Sequence, residues 1–279
     1  MWFAILFIIL WSYYVIVIFM DIVIIGAGNV ATHIARSLVA CGVVPRQIWS
    51  RTMESALQLA GECGCQAVSD WDSVVVDADI YVVAVVDNKL ESVVAELGHR
   101  IRNGVVVHTA GSMSISVFDG HCRRYGVFYP MQTFSKSKKV NFHRIPCFVE
   151  ASSPEVLLVV KTFAGMLSQY VYEMSSADRQ WLHVAAVFSC NFANACYCMA
   201  DKVLRSHGLD FSVMLPLVKE TTKKLSVLRP DEAQTGPAVR GDLNVMERHL
   251  RMLGSQSELG RIYSLMSEYI SNNIKKRIE

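Results

Sequence analysis

The 279-residue chain is long enough for one large domain or two ordinary ones, and its formal net charge is +2. Its short basic runs are not interleaved with aromatic residues, which argues against a nucleic-acid or other polyanionic partner. The eight cysteines form no C-x-x-C pair and have no zinc-like spacing with histidine. We therefore predict free thiols, no metal site and a reducing, cytoplasmic location.

Residues 1–19 form an apolar leader without a charged side chain. The leader is long enough to span a bilayer, but no lysine or arginine precedes Arg36 and no signal-peptide cleavage site follows. Met20 starts a complete opening strand, so no spacer separates the leader from the sheet. We predict an upstream over-extension of the reading frame, with a membrane anchor as the alternative.

Residues 20–151 alternate short β-branched runs with amphipathic helical stretches. Near-continuous apolar strands alternating with helices are typical of a parallel sheet that is covered on both faces. We predict an α/β fold with a Rossmann doubly wound parallel sheet. The predicted strands are 21–25, 47–50, 66–69, 80–86, 105–110, 126–130 and 145–151.

Residues 152–279 follow a helical pattern, apart from one short strand after the first helix. Ser153 before Pro154, and Ser175 three positions before Asp178, are helix start signals. We predict an all-helical C-terminal domain. Its helices are expected near 154–167, 176–207, 210–228, 243–253 and 256–276.

A glycine motif lies between the first strand and the first helix. Its first glycine permits a tight turn, its second lets the backbone approach a pyrophosphate, and the closing alanine lets helix and strand pack closely. The helix N-terminus offers N–H groups to the anion. We predict that the dinucleotide phosphates are bound by Gly26, Ala27, Gly28, Asn29, Val30 and Ala31.

The end of the second strand indicates which dinucleotide is bound. NAD enzymes place an acidic residue there to accept a hydrogen bond from the ribose 2′-OH. This chain has Ser50-Arg51-Thr52 instead, and a guanidinium pairs with a 2′-phosphate. We predict NADP(H) as the cofactor, with an ordinary solvated arginine as the alternative.

Later strand ends should line the same crevice, because ligands bind beyond the carboxyl ends of parallel strands. Asp87 also fits a helix N-cap, which we favour over a catalytic role. We predict cofactor contacts from Val86, Asp87, His108 and Thr109, and substrate contacts from Ser112 and Gln132.

The helix predicted at 176–207 is apolar nearly all round, which is typical of a buried element. At α-helical spacing its polar residues Arg179, Gln180, His183, Asn191 and Asn194 fall within an arc of roughly 120°. We predict that His183 donates a proton after hydride transfer, that Asn191 orients the substrate and that Asn194 contacts it. The alternative is that these residues bond helix to helix.

A loop is predicted at 231–242 from its glycines and proline, with Asp242 as the N-cap of the next helix. Thr235 and Arg240 in this loop are predicted to hold a substrate carboxylate or phosphate.

Several motifs together resemble a known family: GAGNVATHIARSL, SRT after the second strand, YPMQTF, HVAAVFSCNFANAC and QTGPAVRGD. The family comprises bacterial Rossmann-like proteins with a C-terminal domain of unknown function, often described as NADP oxidoreductases related to the deazaflavin-dependent group. The layout is more distantly similar to pyrroline-5-carboxylate reductase, ketopantoate reductase and the β-hydroxyacid dehydrogenases. The resemblance implies a helical domain like that of 6-phosphogluconate dehydrogenase, hydride transfer between the two domains and a homodimer packed through the long helix.

The chain departs from the β-hydroxyacid dehydrogenases at one point. Those enzymes carry a catalytic lysine on the corresponding helix, whereas residues 176–201 contain no lysine, and we place His183 in its role. The expected activity is NADP-dependent hydride transfer to or from a small, anionic carbonyl, imine, hydroxy or amino substrate. The alternative is a non-catalytic NADP(H) sensor or scaffold.

Overall fold

The computed structural model describes residues 20–278, with side chains to residue 272, so the predictions about residues 1–19 lie outside the described residues. Eight strands form one sheet in the order β3-β2-β1-β4-β5-β6-β7-β8. They are β1 (Ile22–Ile25), β2 (Gln47–Trp49), β3 (Gln66–Val68), β4 (Ile80–Val83), β5 (Val105–His108), β6 (Tyr125–Pro130), β7 (Cys147–Ala151) and β8 (Val171–Glu173).

The α-helices follow the predicted order, although the segment expected to be a loop at 231–242 contains two single-turn helices. They are α1 (Asn29–Ala40), α2 (Met53–Cys63), α3 (Asp87–Arg100), α4 (Pro154–Leu167), α5 (Ser176–Ala186), α6 (Ala193–Arg205), α7 (Leu215–Lys224), α8 (Pro230–Ala233), α9 (Pro237–Arg240), α10 (Leu243–Leu253) and α11 (Glu258–Ile278). Short 3₁₀ turns lie at Ile115–Phe118, Phe142–Arg144 and Phe211–Met214, and a π turn lies at Val187–Phe192.

The sheet is parallel from β3 to β6, and β7 runs antiparallel to β6. The connection between β6 and β7 carries a 3₁₀ turn in place of a crossover helix, which suits an antiparallel return. A parallel-dominated sheet followed by helices confirms the predicted fold class.

The central strands are buried on both faces, as a doubly wound sheet requires. In β1, Ile22 and Ile24 pack in a cluster with α1 and α4, whereas Val23 and Ile25 pack in the cluster with α3. Because β1, β2, β4 and β5 pair in parallel, their carboxyl ends lie along one edge of the sheet, where ligands bind in such folds.

Three predicted helix starts are confirmed by side-chain caps. The Ser153 hydroxyl accepts a hydrogen bond from the Val156 N–H at 3.3 Å, and the Ser175 hydroxyl accepts one from the Asp178 N–H at 3.2 Å. Asp242 caps α10 in the same way.

The chain separates into two compact units, one ending at Cys190 and one beginning at Asn191. This division lies after the domain boundary predicted near 151. The segment between the two positions belongs to the first unit, because β8 pairs with β7 and α4 packs on β6 and β7. In the second unit, the buried residues up to 272 are Ala238, Gly260 and Ser267. That unit therefore lacks a dry apolar core of its own in the described part of the chain.

The long helical run Ser176–Arg205 differs from its prediction in two ways. Its apolar side chains are largely exposed in the single chain, including Trp181 at 76% and Val184 at 45%, so the predicted burial is wrong for the isolated chain. The π turn at Val187–Phe192 also breaks the 100° spacing that grouped the later asparagines with His183. Among the described helices, this run alone is long and apolar enough to cross a bilayer by those two criteria.

We predict that Phe163→Ala lowers the free energy of unfolding by about 3–5 kcal/mol. Phe163 is fully buried in α4, and its ring meets that of Phe128 edge to face at 5.0 Å. Urea unfolding measures the loss, and Leu158→Ala on the same helix is the matched control. Leu158 is 65% exposed, so its variant should change the free energy by less than about 0.5 kcal/mol. Equal losses in the two variants would contradict this core assignment.

Candidate active site

A cleft of about 800 Å³ lies in the first unit, beyond the carboxyl ends of β1, β2, β4 and β5. Its volume is in the range of pockets that bind cofactors and other small molecules. The cleft brings together ten of the residues predicted to bind the cofactor: Gly26, Ala27, Gly28, Asn29, Val30, Ser50, Arg51, Thr52, Val86 and Thr109.

The turn at Gly26 has no room for a side chain. Its φ of +123° favours glycine, and a Cβ there would collide with the carbonyl oxygen of Ala84. The Gly26 N–H donates to the Trp49 carbonyl at 2.7 Å, so the turn is held between β2 and β4.

The next glycine faces open space. A Cβ on Gly28 would meet no atom within 4 Å, and Gly28 is the N-cap of α1 without a capping side chain. The first turn of α1 contains no acidic residue that would repel an anion. A bare helix N-terminus beside an open cleft fits a pyrophosphate. Ala31 lies behind this loop, fully buried, which suits its predicted packing role.

Asp87 lies at the start of α3, where its carboxylate accepts a hydrogen bond from the Ser112 hydroxyl. Val86 occupies the N-cap position, so the predicted N-cap role of Asp87 is wrong by one residue. The Gln180 side chain donates to the Ser112 carbonyl at 2.9 Å, which ties α5 to the segment after β5. Gln132 is exposed, and its side chain accepts from the N–H of Thr133 at 2.8 Å.

Of the strand-end residues predicted to contact the cofactor, Val86 and Thr109 line the cleft, whereas Asp87 and His108 do not. Strand alternation directs the His108 ring into the apolar side of the sheet, where it is fully buried and stacks on Phe118 at 5.5 Å. Desolvation, together with the nearby positive charge of Arg179, lowers the pKa of His108 to about 3. The ring is therefore neutral at physiological pH, and its role is to pack in the core against Phe118.

A tyrosine–histidine pair lies beside the segment that follows β5. The Tyr129 hydroxyl, at the end of β6, is 3.1 Å from Nδ1 of His183 on α5. Gly111 makes this approach possible, because a Cβ there would lie 2.6 Å from His183 Nδ1 and 2.8 Å from Tyr129 Cζ. Burial raises the pKa of Tyr129, so its phenol keeps its proton at neutral pH.

Tyr129 was missed as a site residue by the sequence prediction, which selected Gln132 from the same strand end. The available signal was its position as the last aromatic residue of a buried strand, where side chains reach the carboxyl edge of the sheet.

A buried ion pair fixes the start of α5. Arg179 is fully buried and donates to Glu150 Oε2 at 2.7 Å, to the Met113 carbonyl at 2.6 Å and to the Ser176 hydroxyl at 3.0 Å. The Ser176 hydroxyl in turn donates to Glu150 at 2.6 Å. These bonds hold the helix against β7 and the segment after β5, one turn before His183. Glu150 was not predicted as a site residue, and its position near the end of the predicted strand 145–151 was the available signal.

The remaining predicted substrate residues belong to the second unit. Asn191, Asn194, Thr235 and Arg240 are exposed within that unit. The Asn194 amide lies 3.9 Å from the Cys198 sulfur, and Arg240 ends the short helix α9. Their roles toward a substrate stay predictions.

Among the described residues, no group of three or more histidine, cysteine, aspartate or glutamate side chains is arranged to hold a metal ion. The cysteines, all of which lie in the described part of the chain, are free thiols.

Comparison with known families divides the chain into two matched regions. Residues 21–111 match the family described as NADP oxidoreductase coenzyme F420-dependent, and residues 145–270 match a domain of unknown function, DUF2520. No curated protein matches the chain.

Comparison with solved structures gives matches over almost the whole chain. BF3122 from Bacteroides fragilis, provisionally named an NADP oxidoreductase, is 44% identical with a TM-score of 0.88, covering 92% of this chain and 99% of its own. TM1727 from Thermotoga maritima is 22% identical with a TM-score of 0.68, covering 92% and 100%. A reductive aminase from Aspergillus terreus, in complex with NADPH and ethyl-5-oxohexanoate, is 15% identical with a TM-score of 0.70, covering 92% and 94%. The last two matches show the fold alone.

The first of these matches decides the family, because its identity is high and both chains are covered almost completely. The resemblance inferred from the motifs is confirmed, and so is NADP(H) as the cofactor of the family. The chain belongs to the same family of Rossmann-fold NADP oxidoreductases as BF3122, and in this chain a DUF2520 region follows the nucleotide-binding domain.

Proposed function

We propose that this protein is an NADP(H)-dependent oxidoreductase that transfers hydride between the nicotinamide and a small carbonyl or imine substrate. The observation that carries the proposal is the Tyr129–His183 pair, 3.1 Å apart, beside the strand end whose Thr109 lines the cofactor cleft. A hydride acceptor needs a proton as well, and this pair offers one.

The cleft residues support one orientation of the cofactor. The turn at Gly26 and Gly28 would hold the pyrophosphate, and the exposed Arg51 would pair with the 2′-phosphate. Val86 and Thr109, on the β4 and β5 side, would then flank the nicotinamide. When bound, the cofactor supplies or accepts the hydride.

The protein's own contribution is the proton. Reduction of a carbonyl or imine leaves an oxygen or nitrogen that must be protonated, and the Tyr129 phenol holds its proton at neutral pH. His183, within hydrogen-bond distance of that hydroxyl, would restore the proton to the phenol. The Arg179–Glu150 ion pair would keep His183 in place, because it anchors the preceding turn of the same helix.

The substrate class is inferred from proteins of similar fold. Proteins that share the fold are named reductive aminase, imine reductase and pyrroline-5-carboxylate reductase. These names favour a carbonyl or imine as the reacting group. An anionic substrate remains a prediction that depends on Thr235 and Arg240.

We also propose a homodimer packed through the long helix. The second unit has little buried apolar surface in its described residues, where Leu217 and Leu265 are exposed. On the long helix, Trp181, Val184 and Val203 are also exposed. Large exposed apolar side chains on a helix are typical of association surfaces. A second copy would cover them.

Arg51→Asp should weaken NADPH binding by at least about tenfold, because a hydrogen-bonded charge is replaced by a repelling one. NADH, which lacks the 2′-phosphate, should bind the variant as well as it binds the unsubstituted protein. Isothermal titration calorimetry measures both affinities. Arg102→Asp is the matched control, since Arg102 borders a separate cavity and should alter neither affinity. Equal losses for NADPH and NADH would contradict the role of Arg51.

Tyr129→Phe and His183→Asn should each lower kcat by about 10²–10⁴-fold while leaving the affinity for NADPH unchanged. NADPH oxidation is followed with a panel of keto acids and cyclic imines, and His99→Asn, an exposed histidine on α3, is the control. A loss of turnover confined to the two site variants supports the proton role. Tight NADPH binding without turnover on the whole panel would favour the sensor instead.

Trp181→Glu should shift the protein from dimer to monomer, because it places a charge in the apolar face of the long helix. Light scattering after size-exclusion chromatography measures the mass. Leu158→Glu, a similarly exposed apolar position on α4, should leave the dimer intact. A monomeric unsubstituted protein would refute the homodimer.

A further inference from the structure

Two tryptophans stack on each other in the wall of the cleft. The indoles of Trp49 and Trp71 lie with their centroids 4.0 Å apart and their planes 20° from parallel, and both line the cleft. Trp49 is 8% exposed, whereas Trp71 is half-buried. Trp71 is therefore the member of the pair that offers more surface to a ligand.

The strand order places this pair on one side of the phosphate loop. Trp49 ends β2, and Trp71 follows β3, whereas β4 and β5 lie on the other side of β1. The Trp49 carbonyl accepts the hydrogen bond from Gly26, so the pair is joined directly to the turn that approaches the pyrophosphate. Arg51, the candidate partner of the 2′-phosphate, follows the same strand as Trp49.

We propose that Trp49 and Trp71 form a stacking platform for the adenine ring of NADP(H), with Trp71 against the base and Trp49 supporting Trp71. This inference rests on the proposed function, because it assumes that the cleft binds NADP(H). If the pyrophosphate lies at Gly28 and the 2′-phosphate at Arg51, the adenosine half must extend over β2 and β3. The paired indoles are the aromatic surface on that side.

The platform is held in place before any ligand arrives. Trp71 lies in a turn in which the Ser73 N–H donates to Asp70 at 2.8 Å and the Val74 N–H donates to the Trp71 carbonyl at 3.2 Å. The Trp49 Nε1 is enclosed without a hydrogen-bond partner among the described residues, so packing fixes that indole. An ordered aromatic face binds a base by stacking at little entropic cost.

Stacking on a tryptophan predicts a specific pattern of fragment affinities. Trp71→Leu should weaken binding of adenosine 2′,5′-bisphosphate by about tenfold or more and leave reduced nicotinamide mononucleotide unaffected. Trp71→Phe should retain most of the affinity, because it keeps an aromatic face. Tyr172→Leu, an exposed aromatic position on β8, is the control and should change neither fragment. Titration calorimetry measures each affinity.

The outcomes separate this inference from the proposed function. If the unsubstituted protein binds NADPH but Trp71→Leu binds the bisphosphate equally well, the platform is refuted and the cofactor site stands. If the unsubstituted protein binds neither NADPH nor the bisphosphate, the proposed function itself fails. Should Trp71→Leu not fold, tryptophan emission of the unsubstituted protein decides: quenching on saturation with the bisphosphate supports the platform, and unchanged emission overturns it.

Discussion

The close approach of the chain at Gly26 is the constraint on which the site depends. A left-handed turn, pressed against the Ala84 carbonyl and bonded to the Trp49 carbonyl, joins the ends of three neighbouring strands at one point. The turn leaves open space beside Gly28 at the N-terminus of α1, and the free N–H groups of that helix end can bind an anion. In the proposed function, the adenosine half would extend to the β2 side of the turn and the nicotinamide half to the β4 side.

A second constraint acts on the helix that carries His183, the proposed partner of the Tyr129 proton donor. The guanidinium of Arg179 is fully buried, so charged and hydrogen-bonding partners must offset the free-energy cost of removing it from water. Glu150 and the Met113 carbonyl provide these partners, from β7 and from the segment after β5. Loss of Glu150 would leave the fully buried guanidinium without its charged partner, which typically costs about 3–5 kcal/mol. The ion pair therefore links the sheet to the position of His183.

The sequence was sufficient for features that depend on local patterns. Strand and helix order, the glycine turn and the caps at Ser153 and Ser175 follow from short-range rules, and the structure agrees with them. Arg51 was predicted because cofactor selectivity depends on one known position after one strand, and the structure places Arg51 in the wall of the cleft. These features need no knowledge of how distant segments pack.

Features set by packing between distant segments were not predictable in this way. Tyr129 and His183 are 54 positions apart and meet only because Gly111 leaves space between them. His108 sits at a strand end like its neighbours, but its ring turns into the core against Phe118. The π turn changed the helical spacing, which no periodicity rule anticipates. Trp181 was predicted to be buried because its helix is apolar, but in the single chain no other segment packs over most of its side chain.

The central claim is that the cleft is a site of hydride transfer and not only of cofactor binding. The most direct measurement is to incubate the protein with NADPH deuterated at the nicotinamide C4 and a panel of keto acids and cyclic imines. Mass spectrometry of the products should show one deuterium bound to the carbon of the former carbonyl or imine. Cofactor that binds tightly yet retains all of its label with the whole panel would contradict the account.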